Sequence, residues 1–218
     1  PSEHLFATMQ INPNENKKIY SYGKGKVFIE RKDPKEMVLN PGADTGFLKK
    51  IKEAYEKEAH AGKLETKNYF YLWRGPYDIA AVMNKSVNEE PFRIKGPVID
   101  MFDPTLPVLQ EKIIEPGQQS LLYDLKRIKE KNKPQVLCAA SRVYDEKKDS
   151  RSYSFITKSP SNTHNVMRIL LPSKSLSILV KDAEGNPLES TNDWDELSHT
   201  CLLQFVNSSE GRSVKIIW

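Results

Sequence analysis

NYFYLWRGPYDIAAVMNKSVNEEPFRIKGPVIDMFDP, residues 68–104, packs three apolar runs between turn signals. Tyr69, Phe70, Tyr71, Leu72 and Trp73 run into Arg74-Gly75-Pro76. Tyr77, Ile79, Ala80, Ala81, Val82 and Met83 then run out to Asn84. Phe92, Ile94, Val98, Ile99 and Met101 follow, interrupted by Gly96-Pro97. Short runs rich in aromatic and β-branched side chains, bounded by Gly, Pro and Asn, are strands of a sheet core. This stretch is therefore the centre of a β-structure that later strands complete.

Downstream, strands are expected over 108–114, 120–125, 136–143, 153–157, 166–171, 176–180, 201–206 and 214–218, with no helix after Lys67. Several alternate with period two, among them Tyr153, Phe155, Thr157 and Val214, Ile216, Trp218. Such alternation turns one face inward and one toward water. Turns at Pro116-Gly117, Ala183-Glu184-Gly185-Asn186-Pro187 and Ser208-Ser209-Glu210-Gly211 carry the right residues. Many short strands at this spacing make antiparallel sandwiches. The segment KRIKEKNK and Pro134 mark a boundary between two of them, and the basic run reads as a solvated linker.

Upstream, residues 1–16 read as an arm or strand remnant. Ile19, Tyr20 and Val27, Phe28 belong to two short strands joined at Gly23-Lys24-Gly25. Asp33-Pro34 starts a short helix, with a capping carboxylate and a proline in the first turn. Over 45–60, Phe47, Leu48, Ile51, Ala54, Tyr55 and Ala59 fall on one helical stripe. Asp44 or Thr45 caps it, Glu53 faces Lys57 four residues on, and Gly62 ends it. Two strands are too small a surface for a domain alone. The expected organisation is thus 1–66, an α/β remnant or cap; 67–133, a first β-sandwich; and 134–218, a second. The fold class is mainly β: two antiparallel β-sandwich modules preceded by a small α/β segment with one amphipathic helix.

Composition narrows the function. The 218 residues carry 33 basic and 29 acidic side chains, interspersed, for a net charge of +4. A nucleic-acid binder concentrates its cations, so no nucleic-acid partner is expected. No apolar run approaches the roughly 18 residues that cross a bilayer, so no membrane span is expected. The chain begins with Pro1, which reads as the processed or truncated tail of a longer protein. Cys138 and Cys201 fall in strands, as free thiols or as a disulfide, and their spacing fits no zinc motif. No metal and no cofactor is expected.

Asp193-Trp194-Asp195-Glu196 is the one dense acidic cluster beside an aromatic, and glycoside cleavage needs two carboxylates flanking one bond. The competing reading has Trp194 anchoring a long loop while its neighbours cap turns. Asp100 and Asp103 are similar, with Asp103-Pro104 a turn. The four histidines, His4, His60, His164 and His199, are scattered, and no Gly-x-Ser-x-Gly elbow occurs. No catalytic residue is assigned. Tyr69, Tyr71 and Trp73 share a strand face, with Tyr77 across the turn. Facing outward they form a sugar platform, since ring faces stack on pyranosides; facing inward they are core. The candidate sugar-binding set is Tyr69, Tyr71, Trp73, Tyr77, Trp194 and Asp195. Asn84-Lys85-Ser86 and Asn207-Ser208-Ser209 match the N-glycosylation pattern.

The order of these motifs resembles the C-terminal region of large secreted bacterial glycoside hydrolases, where a barrel is followed by an amidotransferase-like α/β domain and then by β-sandwiches. Tyr22-Gly23-Lys24-Gly25-Lys26-Val27, Asp33-Pro34 and the helix from Phe47 resemble the end of that α/β domain. Arg74-Gly75-Pro76-Tyr77-Asp78-Ile79, Gly96-Pro97-Val98-Ile99-Asp100 and Leu121-Leu122-Tyr123-Asp124-Leu125 resemble the next sandwich. Val166-Met167-Arg168-Ile169, Leu171-Pro172 and Trp194-Asp195 resemble the terminal one. The resemblance implies a secreted or periplasmic, non-catalytic accessory region whose partner is a missing N-terminal catalytic domain, with an oligosaccharide as possible ligand. The alternatives are a carbohydrate-binding module centred on Trp73, and a structural protein–protein interaction domain.

Overall fold

The structure, a computed structural model, describes residues 2–12, 14 and 16–218. Pro1, on which the processed start rests, lies outside them. The chain forms two compact units, Pro1–Thr66 and Lys67–Trp218.

In the first unit, α1 (Ser2–Thr8) stands where an arm or strand remnant was expected. Thr8 closes it by donating its hydroxyl to the His4 carbonyl at 2.9 Å. Strands β1 (Ile19–Tyr22) and β2 (Gly25–Phe28) pair from Tyr22↔Gly25 to Ile19↔Phe28. Gly23 takes φ 56° in the two-residue turn, which a side chain would resist. Asp33 caps α2 (Pro34–Leu39) by accepting from the Lys35 N–H. The stripe over 45–60 is not one α-helix. Helix α3 covers Thr45–Glu53, and Ala54–Glu58 continue as a π-helical turn. Asp44 makes no side-chain cap bond. The expected Glu53–Lys57 pair is replaced by pairs reaching the hairpin, Lys50 to Glu30 at 2.5 Å and Lys26 to Glu58. Bonded first by Lys50 and then by the Lys32 N–H, Glu30 is held down at about 2.

The second unit holds three antiparallel sheets. Five strands, β3 (Tyr69–Arg74), β4 (Tyr77–Val82), β5 (Phe92–Asp100), β6 (Val108–Ile114) and β7 (Gln119–Asp124), form one sheet in the order β3-β4-β7-β5-β6. It achieves two-layer packing by folding over itself, so that Tyr69 on β3 stacks on Phe92 of β5 with centroids 4.0 Å apart. Ala80, Val82, Ile94, Val98, Ile114 and Leu122 fill the interior. A bulge at Lys95/Val98 bends β5 over β6. There a Cβ on Gly96 would lie 2.1 Å from the Leu109 carbonyl oxygen, so only glycine allows the approach.

Eight strands build a two-sheet sandwich: β8 (Gln135–Ala139), β9 (Arg142–Lys148), β10 (Ser152–Lys158), β11 (His164–Leu170), β12 (Ser177–Lys181), β13 (Thr191–Asp195), β14 (Thr200–Val206) and β15 (Arg212–Ile217). The sheets run β13-β14-β11-β8 and β12-β15-β10-β9. Between them Tyr153, Phe155, Met167, Ile169, Leu203 and Ile216 are almost wholly buried. Two of these strands, β9 and β13, were not expected.

A third cluster joins the two modules: Ile99, Leu106, Leu125 and Ile128 pack with Leu137, Cys138 and Leu170. Leu106 sits in the left-handed region at φ 47°. Its carbonyl accepts from Arg168 Nη2 at 2.7 Å and Nε at 3.2 Å, and Arg168 is 5% exposed. These charge-assisted bonds span 62 residues of chain and contribute about 1.5–3 kcal/mol, enough to hold the strained turn. Cys138 belongs to this shared cluster and Cys201 to the sandwich interior, and both thiols are free.

Candidate functional site

The most polar constellation lies along the inner face of the folded-over sheet, where β3, β4 and β7 run side by side. Asp78 and Asp124, 2% and 3% exposed, come from adjacent strands β4 and β7. Between them reaches Arg127, from a single 3₁₀ turn, Leu125–Arg127, directly after β7. Its Nη2 lies 3.0 Å from Asp78 Oδ1, and its Nε lies 3.0 Å from Asp124 Oδ2. The Tyr71 hydroxyl donates to Asp78 at 2.7 Å and accepts from Arg127 at 3.4 Å. The guanidinium also covers the Trp73 ring, 4.4 Å from its centroid. Burial and then the bond to Asp78 push the Tyr71 hydroxyl up. Burial opposes the Arg127 charge, but Tyr71, Asp78 and Asp124 outweigh it and push its pKa up.

The basic run is therefore more than a solvated linker. Asp124 also accepts from the Lys126 N–H at 2.9 Å, capping the turn that aims Arg127 inward. The sequence signal was present in Asp124 standing three residues before Arg127; its partner Asp78 is remote in sequence. An open groove of about 480 Å³ adjoins the cluster, lined by Trp73, Pro76, Tyr123, Arg127 and Gln135.

The structure divides the candidate sugar-binding residues. Tyr69 is a packing residue, stacked on Phe92. Tyr71 is 44% and Trp73 62% exposed, with the Trp73 Nε1–H tied to the Gly75 carbonyl at 2.6 Å. Tyr77 packs edge-on against Tyr123 at 5.5 Å. Trp194 and Asp195 belong to β13, in the sandwich, and no hydrogen bond or ring contact joins them to Trp73 among the described residues. Trp194 donates to Glu196 at 2.6 Å and meets His199 edge-on, while Asp195 accepts from the Ser198 N–H at 2.7 Å.

This segment is thus a paired strand with a turn after it, not a long loop. Asp100 and Asp103 also have partners. Asp103 bonds the Thr105 N–H and hydroxyl, and Asp100 binds Lys112 at 2.6 Å and the Phe102 N–H. Asn207 is 2% exposed and donates to Thr163 Oγ1 at 3.0 Å, so it is no glycan acceptor in the folded chain.

No family model and no curated protein matches the chain. Two solved structures resemble it weakly, both of a GH31 dextranase from Flavobacterium johnsoniae. One is a mutant complexed with isomaltotriose, 13% identical with a TM-score of 0.25; the other is complexed with glucose, 12% identical with a TM-score of 0.26. In each case the match covers 81% of this chain and 30% of the dextranase chain.

Proposed function

We propose that the chain is a non-catalytic accessory region of a carbohydrate-active enzyme, and that its first unit docks a catalytic domain. The observation that carries this is the apolar surface of residues 1–66. Among the described residues of that unit only Ile11 and Tyr20 count as buried hydrophobics. Helix α3 buries no residue. Val38 is 84%, Leu39 66%, Leu48 53% and Tyr55 41% exposed. A unit with so little core does not repay its ordering entropy unaided, and large exposed apolar side chains on its helices favour an interaction surface. Of the acids that might have done chemistry, Asp100, Asp103, Asp195 and Glu196 are instead occupied in turns, an ion pair and a bond to Trp194, which favours a supporting role.

The test is binding of an apolar fluorescent dye. The chain should enhance dye emission, and Leu48→Lys combined with Tyr55→Lys should remove most of the enhancement with an unchanged far-ultraviolet spectrum. Absence of dye binding by the unaltered chain would overturn the docking role.

The exposure of Trp73 favours a second reading, a carbohydrate-binding module. One face of its ring carries Arg127, and the other would stack on a sugar. Trp73→Ala would then abolish retardation in neutral-glycan affinity gels without unfolding the chain. Unchanged retardation would remove this reading.

A further inference from the structure

The outer face of the sheet β12-β15-β10-β9 is a separate feature. On β10, Ser154, Ile156 and Lys158 alternate with the buried Tyr153, Phe155 and Thr157, and so face outward. Register then sets rows across the sheet. Lys147, Ser154, Lys215 and Leu179 form one row through all four strands. Tyr144, Ile156, Ser213 and Lys181 form the next, and Arg142 pairs with Lys158 beyond it. An open depression of about 560 Å³ follows these rows.

Five cationic side chains share this face: Arg142, Lys147, Lys158, Lys181 and Lys215. None of the five takes part in an ion pair among the described residues. Two carboxylates also line the depression, Asp145 at the β9 irregularity and Glu146. Glu146 is occupied by the Tyr153 hydroxyl and Lys148, so the five cations outnumber the acids on this face. Lys147 and Lys215 stand two strand spacings apart, about 10 Å, with a serine between them.

We infer that this face binds an acidic polysaccharide. Free ammonium groups spaced along a groove attract a polymer of repeating negative charge. Ser154 and Ser213 lie between them to bond hydroxyls, and Ile156 and Leu179 offer an apolar strip to sugar rings. The composition disfavours other polyanions and protein partners. Protein interfaces are depleted in lysine and enriched in aromatic and arginine anchors, whereas this face is mostly lysine and serine. Single-stranded nucleic acid needs aromatic stacking platforms, and here Tyr144 alone supplies one. The site is distinct from Trp73 and stands independently of the docking role.

The experiment is native affinity electrophoresis of the full chain in gels containing polygalacturonate, with neutral dextran, poly-glutamate and single-stranded DNA as comparators. Retardation by polygalacturonate above that by each comparator is expected, and it should weaken as salt rises. Combining Lys147→Gln, Lys181→Gln and Lys215→Gln should weaken it at least about tenfold, while Trp73→Ala leaves it unchanged. The side chains are on the surface, so the thermal midpoint of the triple variant should stay put. No retardation at low salt, equal or stronger retention by poly-glutamate or DNA, or undiminished binding by the triple variant would overturn the inference.

Discussion

Arg127 neutralises two carboxylates that water cannot reach. Its removal would leave Asp78 with only the Tyr71 hydroxyl and Asp124 with only the Lys126 N–H and the Lys126 ammonium 3.9 Å away, so Arg127→Met should destabilise the second unit by about 3–5 kcal/mol in urea titrations. Arg127→Lys should recover only part of this, because an ammonium cannot span both acids as a fork does. A loss below about 1 kcal/mol would mean the cluster is solvated after all. The two thiols behave differently from reactive cysteines. Burial pushes Cys138 up to about 12 and Cys201 to about 11, from an ordinary value of 9.0. Thiols with raised folded-state values stabilise the fold fully below the unfolded value. That contribution should therefore shrink as pH rises from about 9 toward 11–12. Neither thiol should be alkylated in the native protein at neutral pH, and both should react once denaturant is added.

At the scale of strands and helices, Gly96 is the position with no latitude. Gly96→Ala would drive a methyl into the Leu109 carbonyl and should cost about 2–4 kcal/mol, read as a fall in thermal midpoint. The strands that local pattern reveals are those with a dry face, such as β10 and β15, where alternation and burial coincide. The Gly23 turn and the Asp33 cap are equally local, and they form as their residues require. Strands β9 and β13 escape such reading because RVYDEKK and TNDWD are polar edge segments. They are strands because β10 and β14 offer hydrogen-bonding partners, and that information is not local. The same holds for the candidate site. The aromatic run of β3 is visible in sequence, but its inner face becomes polar only when Asp78, Asp124 and Arg127 converge through pairing of β4 with β7.

Across the whole molecule, the shared cluster of Ile99, Leu125, Leu137 and Leu170, with Arg168 on the Leu106 carbonyl, ties the folded-over sheet to the sandwich. A chain of residues 67–218 should therefore melt in one cooperative transition by calorimetry, despite the linker near Pro134; two separable transitions would show that the modules are independent. The aromatic and acidic residues that suggested sugar chemistry are distributed over different sheets, with the Asp195, Asp103 and Asp100 carboxylates bonded to structural partners. That arrangement supports the accessory role proposed above. The proposed non-catalytic role is tested most directly by incubating the purified chain with a panel of oligosaccharides and measuring released reducing ends. It predicts no release above the blank; release that Asp195→Asn abolishes would contradict it.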